Sequence, residues 1–325
     1  MRYGSGRGVL ACPPQSDDPA RTHMPLPNFF VIGAAKAGTT AFADALAQHT
    51  CIYMCPLKEP FFFALDGNPG SPDPAGRGIL HRMVWQPQDY MALFADATTE
   101  RAIGEASTAY LRSPQAARRI KRSLPTSKFI AILRQPADRA YSHHRYMAMH
   151  NVERAPTLKA AIEEEVAGLR TGWFSGVHYK AAGYYHQQLS EYFALFPRDC
   201  IKVYLYEDWQ RAPQTMLRDA FGFLEVDENF APQVRQMNVT RTPRSPRVHR
   251  LAQLLAQRHG DPTSSMKARA RSVVAGSLDW IDRTYNLRAP EPFDPTFRRQ
   301  LTGEYREDIL KLQDLIDRDL SEWLL

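Results

Sequence analysis

The fold of this chain is decided by residues 29–40, which read Phe-Phe-Val-Ile-Gly-Ala-Ala-Lys-Ala-Gly-Thr-Thr. The apolar run at the start predicts a buried strand, and it leads directly into a loop with two glycines, one lysine and two threonines. Glycines let the backbone approach an anion, and the N–H groups that begin the next helix, predicted over Ala41–Gln48, point toward it. The stretch therefore predicts a strand, a phosphate-binding loop and a helix.

The position of the lysine separates this loop from that of the nucleoside triphosphatases. In their motif, Gly-x-x-x-x-Gly-Lys-[Ser/Thr], the lysine follows the second glycine and reaches the β and γ phosphates. Here Gly33 and Gly38 have the same spacing, but Thr39 occupies the place of that lysine. The only lysine of the loop, Lys36, precedes Gly38 by two residues. A standard ATPase or GTPase is therefore disfavoured, and an ordinary strand-to-helix turn is the alternative for this segment taken alone.

The composition limits the class of protein. The chain has 325 residues, of which 44% are apolar, and this length suits one large α/β domain. Its 41 basic residues are interspersed with 35 acidic ones, and the net charge of +6 suits anionic ligands without singling out nucleic acid. The four cysteines form no zinc-binding pattern, so we predict no metal site. No apolar run is long enough for a signal peptide or a membrane span, and we therefore expect a cytoplasmic protein.

Short apolar or β-branched runs recur after the first strand, with helical patterns between them. This alternation predicts an α/β fold, a P-loop-like three-layer sandwich in which helices flank a central parallel sheet on both faces. We expect a disordered tail over residues 1–26 and one domain over residues 27–325. The further predicted strands are Cys51–Met54, Ala102–Gly104, Lys128–Leu133 and Ile201–Tyr206. The further predicted helices are Pro114–Leu124, Pro136–His150, Leu158–Leu169, Ala181–Phe196 and Thr296–Leu320.

Polar segments follow several of these strands. Because ligands of open parallel sheets bind beyond the carboxyl ends of the strands, these segments are the first places to seek a site. In chain order they are the phosphate loop, Lys58–Phe63, Gly104–Leu111 and Arg134–Ser142.

This ordered series resembles the sulfotransferases that use 3′-phosphoadenosine 5′-phosphosulfate (PAPS), especially the branch that includes the glycan sulfotransferases and many bacterial relatives. In that family the loop that matches Lys36–Thr40 holds the 5′-phosphosulfate of the donor, and the segment that matches Phe129–Ser142 holds its 3′-phosphate. The loop of residues 238–245 resembles the late donor-covering loop, and the end of the chain, up to Trp323, resembles the terminal helix. The resemblance covers most of residues 28–325.

The resemblance implies an enzyme that transfers the sulfuryl group of PAPS to a hydroxyl, in preference to an amine, of a small molecule, lipid, polyketide or carbohydrate. Lys36 would stabilise the leaving phosphate and Glu59 would be the general base. No metal would be required, because the sulfuryl group carries less negative charge than a phosphoryl group. The expected donor ligands are Lys36, Ala37, Gly38, Thr39, Thr40, Arg134, Ser142 and Arg244.

Two of these site residues have a simpler structural interpretation. Glu59 could be a surface carboxylate that pairs with the adjacent Lys58, and Arg134 could form an ion pair with Asp138. The sequence leaves both alternatives open.

Three neighbouring titratable residues are weaker candidates. We expect Glu105 to hold a loop or a nearby cation rather than to take part in catalysis. His143 and His144 follow Ser142, but most helical histidines are exposed or packed, and we do not expect them to be bases. Glycan members often carry a lysine where this chain has Ala106, so a heparan-type acceptor is disfavoured.

Other functions remain open at this point. A kinase that uses Mg-ATP is disfavoured by Thr39, a catalytically silent nucleotide-binding protein by the presence of both Lys36 and Glu59, and nucleic-acid binding rests on net charge alone. We expect acceptor specificity to lie in Gly168–Tyr185 and Asp66–Gly78. The sequence makes no prediction of the oligomeric state.

Overall fold

The computed structural model describes residues 25–65, 67, 83–150, 152–170, 178–234, 242–243, 245, 287–288 and 291–325. The predicted tail up to residue 24 and nearly all of the segment 66–78, where we expect part of the acceptor specificity, lie outside the described residues.

Five parallel strands form the central sheet: β1 (Phe29–Gly33), β2 (Ile52–Met54), β3 (Ala102–Ala106), β4 (Lys128–Leu133) and β5 (Ile201–Leu205). Their order in the sheet is β2-β3-β1-β4-β5. The strand that precedes the phosphate loop, β1, lies in the middle, with β3 on one side and β4 on the other. The order of the strands reverses there, and a crevice for a ligand is expected beyond the carboxyl end of such a strand.

The centre of the sheet is packed with aromatic side chains. Phe30 of β1 is fully buried, stacks on Phe129 of β4 at a centroid distance of 5.8 Å and meets the edge of Phe63 at the same distance. Gly104 of β3 is required beside this cluster, since a Cβ at that position would overlap the ring of Phe29. The continuous burial of β1 explains why its sequence is apolar at every position.

Helices cover the sheet, as the alternating pattern predicts. Within the described residues the helices are α1 (Thr39–Leu46), α2 (Pro87–Ala92), α3 (Pro114–Ser123), α4 (Pro136–Met149), α5 (Leu158–Val166), α6 (Tyr185–Leu195), α7 (Tyr206–Arg211), α8 (Pro213–Phe223) and α9 (Pro295–Ile316). Helix α9 packs on α6 and α4, α6 packs on α3, and α1 packs on α8. The predicted helix from Ala181 is shorter than expected, because Ala181–Gly183 forms a separate 3₁₀ turn before α6.

The end of the chain supports the start of α4. Gln135, which follows β4, donates through Nε2 to the Thr302 hydroxyl of α9 at 2.9 Å and to the Trp323 carbonyl at 3.2 Å. Its Oε1 accepts a hydrogen bond from the backbone N–H of Asp138 and caps α4. A residue next to Arg134 is thus anchored by elements that lie far away in sequence.

Candidate active site

The loop after β1 has the geometry of an anion cradle. Lys36 and Gly38 both have left-handed backbone conformations, with φ of 70° and 85°, and α1 begins at Thr39 directly after Gly38. Gly38 is needed for its φ and also for space, since a Cβ there would lie 3.2 Å from the ring of Tyr206. Because Gly38 offers no side-chain cap, the first N–H groups of α1 are available to an anion.

Lys36 lies among other positive charges. Its Nζ is 4.0 Å from the ring centroid of Tyr146 on α4, a cation–π contact. Burial, followed by the charges of Arg134 and Lys58, lowers the pKa of Lys36 to about 8. A buried cation whose pKa is lowered by neighbouring positive charges favours an anionic ligand beside it.

Arg134 directly follows β4 and contacts the loop. Its Nη1 donates to the Lys36 carbonyl at 3.3 Å, and its guanidinium lies 4.8 Å from the ring centroid of Tyr206. The alternative pairing with Asp138 is not formed, because Asp138 binds Arg298 of α9 at 2.9 Å. The predicted partner Ser142 lies half-buried in the second turn of α4.

Glu59 is held firmly at the carboxyl end of β3. Its Oε2 accepts from the backbone N–H of Thr108 at 2.9 Å, and its Oε1 accepts from the Thr108 hydroxyl at 3.0 Å and from Lys58 Nζ at 2.7 Å. The pair with Lys58 therefore exists, but it is not an exposed surface pair, since the side chain of Glu59 is only 14% exposed. The Glu59 N–H also donates to the Ala106 carbonyl at 3.0 Å, so the backbone at Glu59 is hydrogen-bonded to the last residue of β3.

Glu105 supports the segment that follows Glu59 through buried hydrogen bonds. It is fully buried, and it accepts hydrogen bonds from the Tyr90 hydroxyl and, at 2.6 Å, from Ser107 Oγ. Ser107 Oγ in turn accepts from the backbone N–H of Phe61 at 3.3 Å. Burial raises the pKa of Glu105 to about 7, although the hydrogen bonds from Ser107 and Tyr90 oppose this rise. Of the two supporting roles expected for Glu105, the contacts fit the holding of a loop.

The two histidines of α4 are buried packing residues. His143 Nδ1 lies 3.5 Å from Nη1 of Arg139, and His144 Nε2 lies 3.2 Å from the Ala155 carbonyl. Burial lowers the pKa of both rings, so both are neutral near pH 7. Their contacts agree with the expectation that they are not the base.

Sequence reasoning missed two side chains that shape the site, Thr108 and Tyr146. Thr108 lies within the Gly104–Leu111 segment, and a hydroxyl side chain after the end of a parallel strand could have indicated a hydrogen-bonding role at the site. Tyr146 is four residues after Ser142, and a helix places residues at this spacing on one face.

Arg244 and the other predicted donor-loop residues at 238–241 lie outside the described residues. Among the residues that the structure does describe, no group of three or more His, Cys, Asp or Glu side chains could hold a metal ion. Within the same part of the chain, no helix is long and apolar enough to span a bilayer.

Comparison with known proteins agrees with the predicted family. The chain is 28% identical over 214 residues to mouse bifunctional heparan sulfate N-deacetylase/N-sulfotransferase 3. The matched segment covers 63% of this chain but only 23% of the mouse protein. It is also 28% identical over 121 residues to the membrane-associated sulfotransferase kil1 of Dictyostelium discoideum, again over 23% of the relative. The chain thus spans about a quarter of the length of these curated relatives.

A solved structure matches nearly the whole chain. The sulfotransferase from Alicyclobacillus acidocaldarius superposes with a TM-score of 0.71 at 28% identity, over 92% of this chain and 99% of that one. Residues 27–231 match the model of the sulfotransferase family. The fold and the family predicted from the ordered motifs are both confirmed, and the chain belongs to the sulfotransferase family.

Proposed function

We propose that this protein transfers the sulfuryl group of PAPS to a hydroxyl of an acceptor. The observation that carries the proposal is the hydrogen bond from Arg134 to the Lys36 carbonyl at the phosphate loop, together with the carboxylate that Thr108 holds at the end of the neighbouring strand β3. Cations at the leaving phosphate and a carboxylate for the acceptor proton are the two groups that in-line sulfuryl transfer needs.

The residues present fit a donor with two phosphate groups. The backbone N–H groups of residues 37–40 and Lys36 would hold the 5′-phosphosulfate. Arg134 would hold the 3′-phosphate through its planar fork, with Ser142 and Arg244 as further ligands. The contact of Arg134 with the ring of Tyr206 supports this assignment, since it keeps the guanidinium beside the loop.

Each side chain then has one task during transfer. Glu59 takes the proton of the acceptor hydroxyl as the new oxygen–sulfur bond forms. The bond between sulfur and the bridging phosphate oxygen breaks, and protonated Lys36 stabilises the negative charge that grows on that oxygen. Thr108 fixes the orientation of the Glu59 carboxylate through two hydrogen bonds, and the products are a sulfate ester and adenosine 3′,5′-bisphosphate.

The acceptor is proposed as a class only. A small molecule, lipid, polyketide or carbohydrate with a hydroxyl suits the site, and an amine is the less favoured nucleophile. The mouse relative is named for heparan sulfate, but this chain has Ala106 where a cation would favour that acceptor.

Calorimetry tests the donor class directly. We expect adenosine 3′,5′-bisphosphate to bind with micromolar or tighter affinity without magnesium, and Arg134→Ala to weaken it at least about 10-fold, as expected for a lost charged hydrogen bond. Arg122→Ala on the exposed end of α3 is the matched control and should leave the affinity unchanged. Preferential binding of Mg-ATP would contradict the proposal and favour a kinase.

Turnover tests the two catalytic assignments. Transfer of labelled sulfate from PAPS to an acceptor panel should fall about 10² to 10⁴-fold in Glu59→Gln, the range for loss of a general base. Lys36→Ala should lose turnover as well, while both variants keep a wild-type unfolding midpoint. Glu163→Gln, an exposed residue of α5, is the control. Full activity in Glu59→Gln would remove Glu59 from the role of base.

A further inference from the structure

Weak contacts restrain the side chain of Arg134, the proposed ligand of the 3′-phosphate. Its Nη1 donates to the Lys36 carbonyl at a long 3.3 Å, and its guanidinium lies 4.8 Å from the ring centroid of Tyr206. Ordering a long side chain costs conformational entropy, and a ligand binds more tightly when the protein has already oriented the group that receives it. The strength of phosphate binding therefore depends on how firmly the backbone holds Arg134.

The peptide group between Arg134 and Gln135 is held at both ends. The hydroxyl of Tyr185, the first residue of α6, donates to the Arg134 carbonyl at 2.9 Å, and the Gln135 N–H donates to Glu207 Oε1 at 3.5 Å. Tyr185 is fully buried, and burial raises the pKa of its hydroxyl to about 12, so the hydroxyl keeps its proton at neutral pH. Rotation of this peptide group would break both hydrogen bonds.

Gln135 fixes the turn that follows. It is only 3% exposed, and its side-chain amide makes the three hydrogen bonds that join it to α9, to the Trp323 carbonyl and to the start of α4. Its own carbonyl accepts from the Arg139 N–H at 2.9 Å. A buried amide that is paired in this way resists rotation, because another orientation leaves a donor or an acceptor without a partner. Gln135 therefore ties the residue next to Arg134 to three elements at once.

We propose that Gln135 and Tyr185 are positioning residues for the donor, which hold the backbone of Arg134 so that its guanidinium is already oriented for the 3′-phosphate. Gln135 acts through Arg134, because its Nε2 donates to two oxygens of the protein and its Oε1 accepts from the Asp138 N–H. The inference rests on the proposed function and adds the residues that set the strength of 3′-phosphate binding.

Two nucleotides that differ only in the 3′-phosphate isolate this effect. Calorimetry on the full chain would compare adenosine 3′,5′-bisphosphate with adenosine 5′-monophosphate, and the ratio of the two affinities measures what the 3′-phosphate contributes. We expect the wild type to prefer the bisphosphate at least about 10-fold, as for a hydrogen bond to a charged group. Tyr185→Phe should reduce this preference about 3-fold or more, the loss of one neutral hydrogen bond, and Gln135→Leu should reduce it as far as Arg134→Ala does.

The ratio separates positioning from general damage to the fold. A variant that merely lowers the folded fraction weakens the binding of both nucleotides by the same factor and leaves the preference unchanged. Tyr192→Phe is the matched control for Tyr185→Phe, since Tyr192 is also fully buried in α6 and its hydroxyl donates to the Tyr110 carbonyl at 2.8 Å. Gln300→Leu, at an exposed position of α9, is the control for Gln135→Leu. Both controls should keep the wild-type preference.

The outcomes separate this inference from the proposed function. A wild type without preference for the bisphosphate, or a preference that survives Arg134→Ala, would overturn the donor assignment and this inference together. A preference that is lost in Arg134→Ala but kept in Tyr185→Phe or Gln135→Leu would overturn the role of that residue alone. An equal loss of preference in Tyr192→Phe and Tyr185→Phe would also overturn the inference, because the effect would then not depend on Arg134.

A further pair of variants keeps the test decisive if Gln135→Leu does not fold. Thr302→Val keeps nearly the same shape at a buried position but removes the hydroxyl that accepts from Gln135 Nε2. It should reduce the preference about 3-fold or more, and Thr302→Ser, which keeps the hydroxyl, should restore it. A wild-type preference in Thr302→Val would overturn the role of Gln135.

Discussion

Glu105→Gln should change how the stability of this protein depends on pH. Glu105 is fully buried, and its pKa is raised from the ordinary value of 4.5 to about 7 in the folded chain. The folded state therefore keeps the proton of Glu105 over a range in which the unfolded chain releases it. Stability that comes from protonated Glu105 is fully present below pH 4.5, and it is lost as pH rises toward about 7.

The size of this effect follows from the two pKa values. Each pH unit between them corresponds to about 1.4 kcal/mol, so the wild type should lose on the order of 3 kcal/mol between pH 4.5 and about 7. Glutamine has the same shape, carries no titrating proton and can still accept from the Tyr90 hydroxyl. Glu105→Gln should therefore have similar stability near pH 5 and exceed the wild type above pH 7.

Urea unfolding followed by circular dichroism from pH 5 to 8.5 provides the measurement. The difference in apparent midpoint between wild type and Glu105→Gln should grow with pH and level off above about 7. Glu163→Gln, an exposed carboxylate on α5, should run parallel to the wild type throughout. A constant difference between wild type and Glu105→Gln would refute the reasoning, because it would mean that Glu105 ionises alike in both states.

Two further predictions concern the proposed catalytic residues Lys36 and Glu59. Tyr146→Leu removes the ring that lies 4.0 Å from Lys36 Nζ, and since a cation–π contact contributes about 0.5 to 2 kcal/mol, the alkaline limb of kcat/KM for PAPS should move to lower pH by about 0.4 to 1.5 units. Tyr146→Phe keeps a ring and should keep the wild-type profile; identical profiles in all three proteins would contradict the contact. Thr108→Val removes the hydroxyl bonded to Glu59 Oε1 and should lower kcat about 10-fold or more on the best acceptor of the panel, with bisphosphate affinity unchanged. Thr108→Ser should restore kcat, and a Thr108→Val enzyme with wild-type kcat would show that Glu59 needs no such support.

The phosphate loop and the strand-helix order could be predicted because they depend on near neighbours. The apolar run before Gly33 is sufficient to indicate a strand, and Gly38 is sufficient to indicate the turn whose φ of 85° the structure shows. The site roles of Lys36 and Glu59 came from the resemblance, and they remain predictions. The exact start of α6 was not predicted, since the backbone N–H groups of Lys180 and Ala181, at the 3₁₀ turn Ala181–Gly183, donate to the carboxylate of Glu165, and no local pattern contains these hydrogen bonds.

By itself the sequence determined the fold class, because hydrophobic period and glycine position are local properties of the chain, and the resemblance of its ordered motifs indicated the family. Only the tertiary structure decided which side chains meet. Asp138 forms an ion pair with Arg298, which is 160 residues away, and not with the nearby Arg134. Glu59 accepts two hydrogen bonds from Thr108, which is 49 residues away. Such partners depend on how helices and strand ends pack together. The same local sequence pattern is compatible with many packing arrangements, and only the packing of the whole core stabilises one of them.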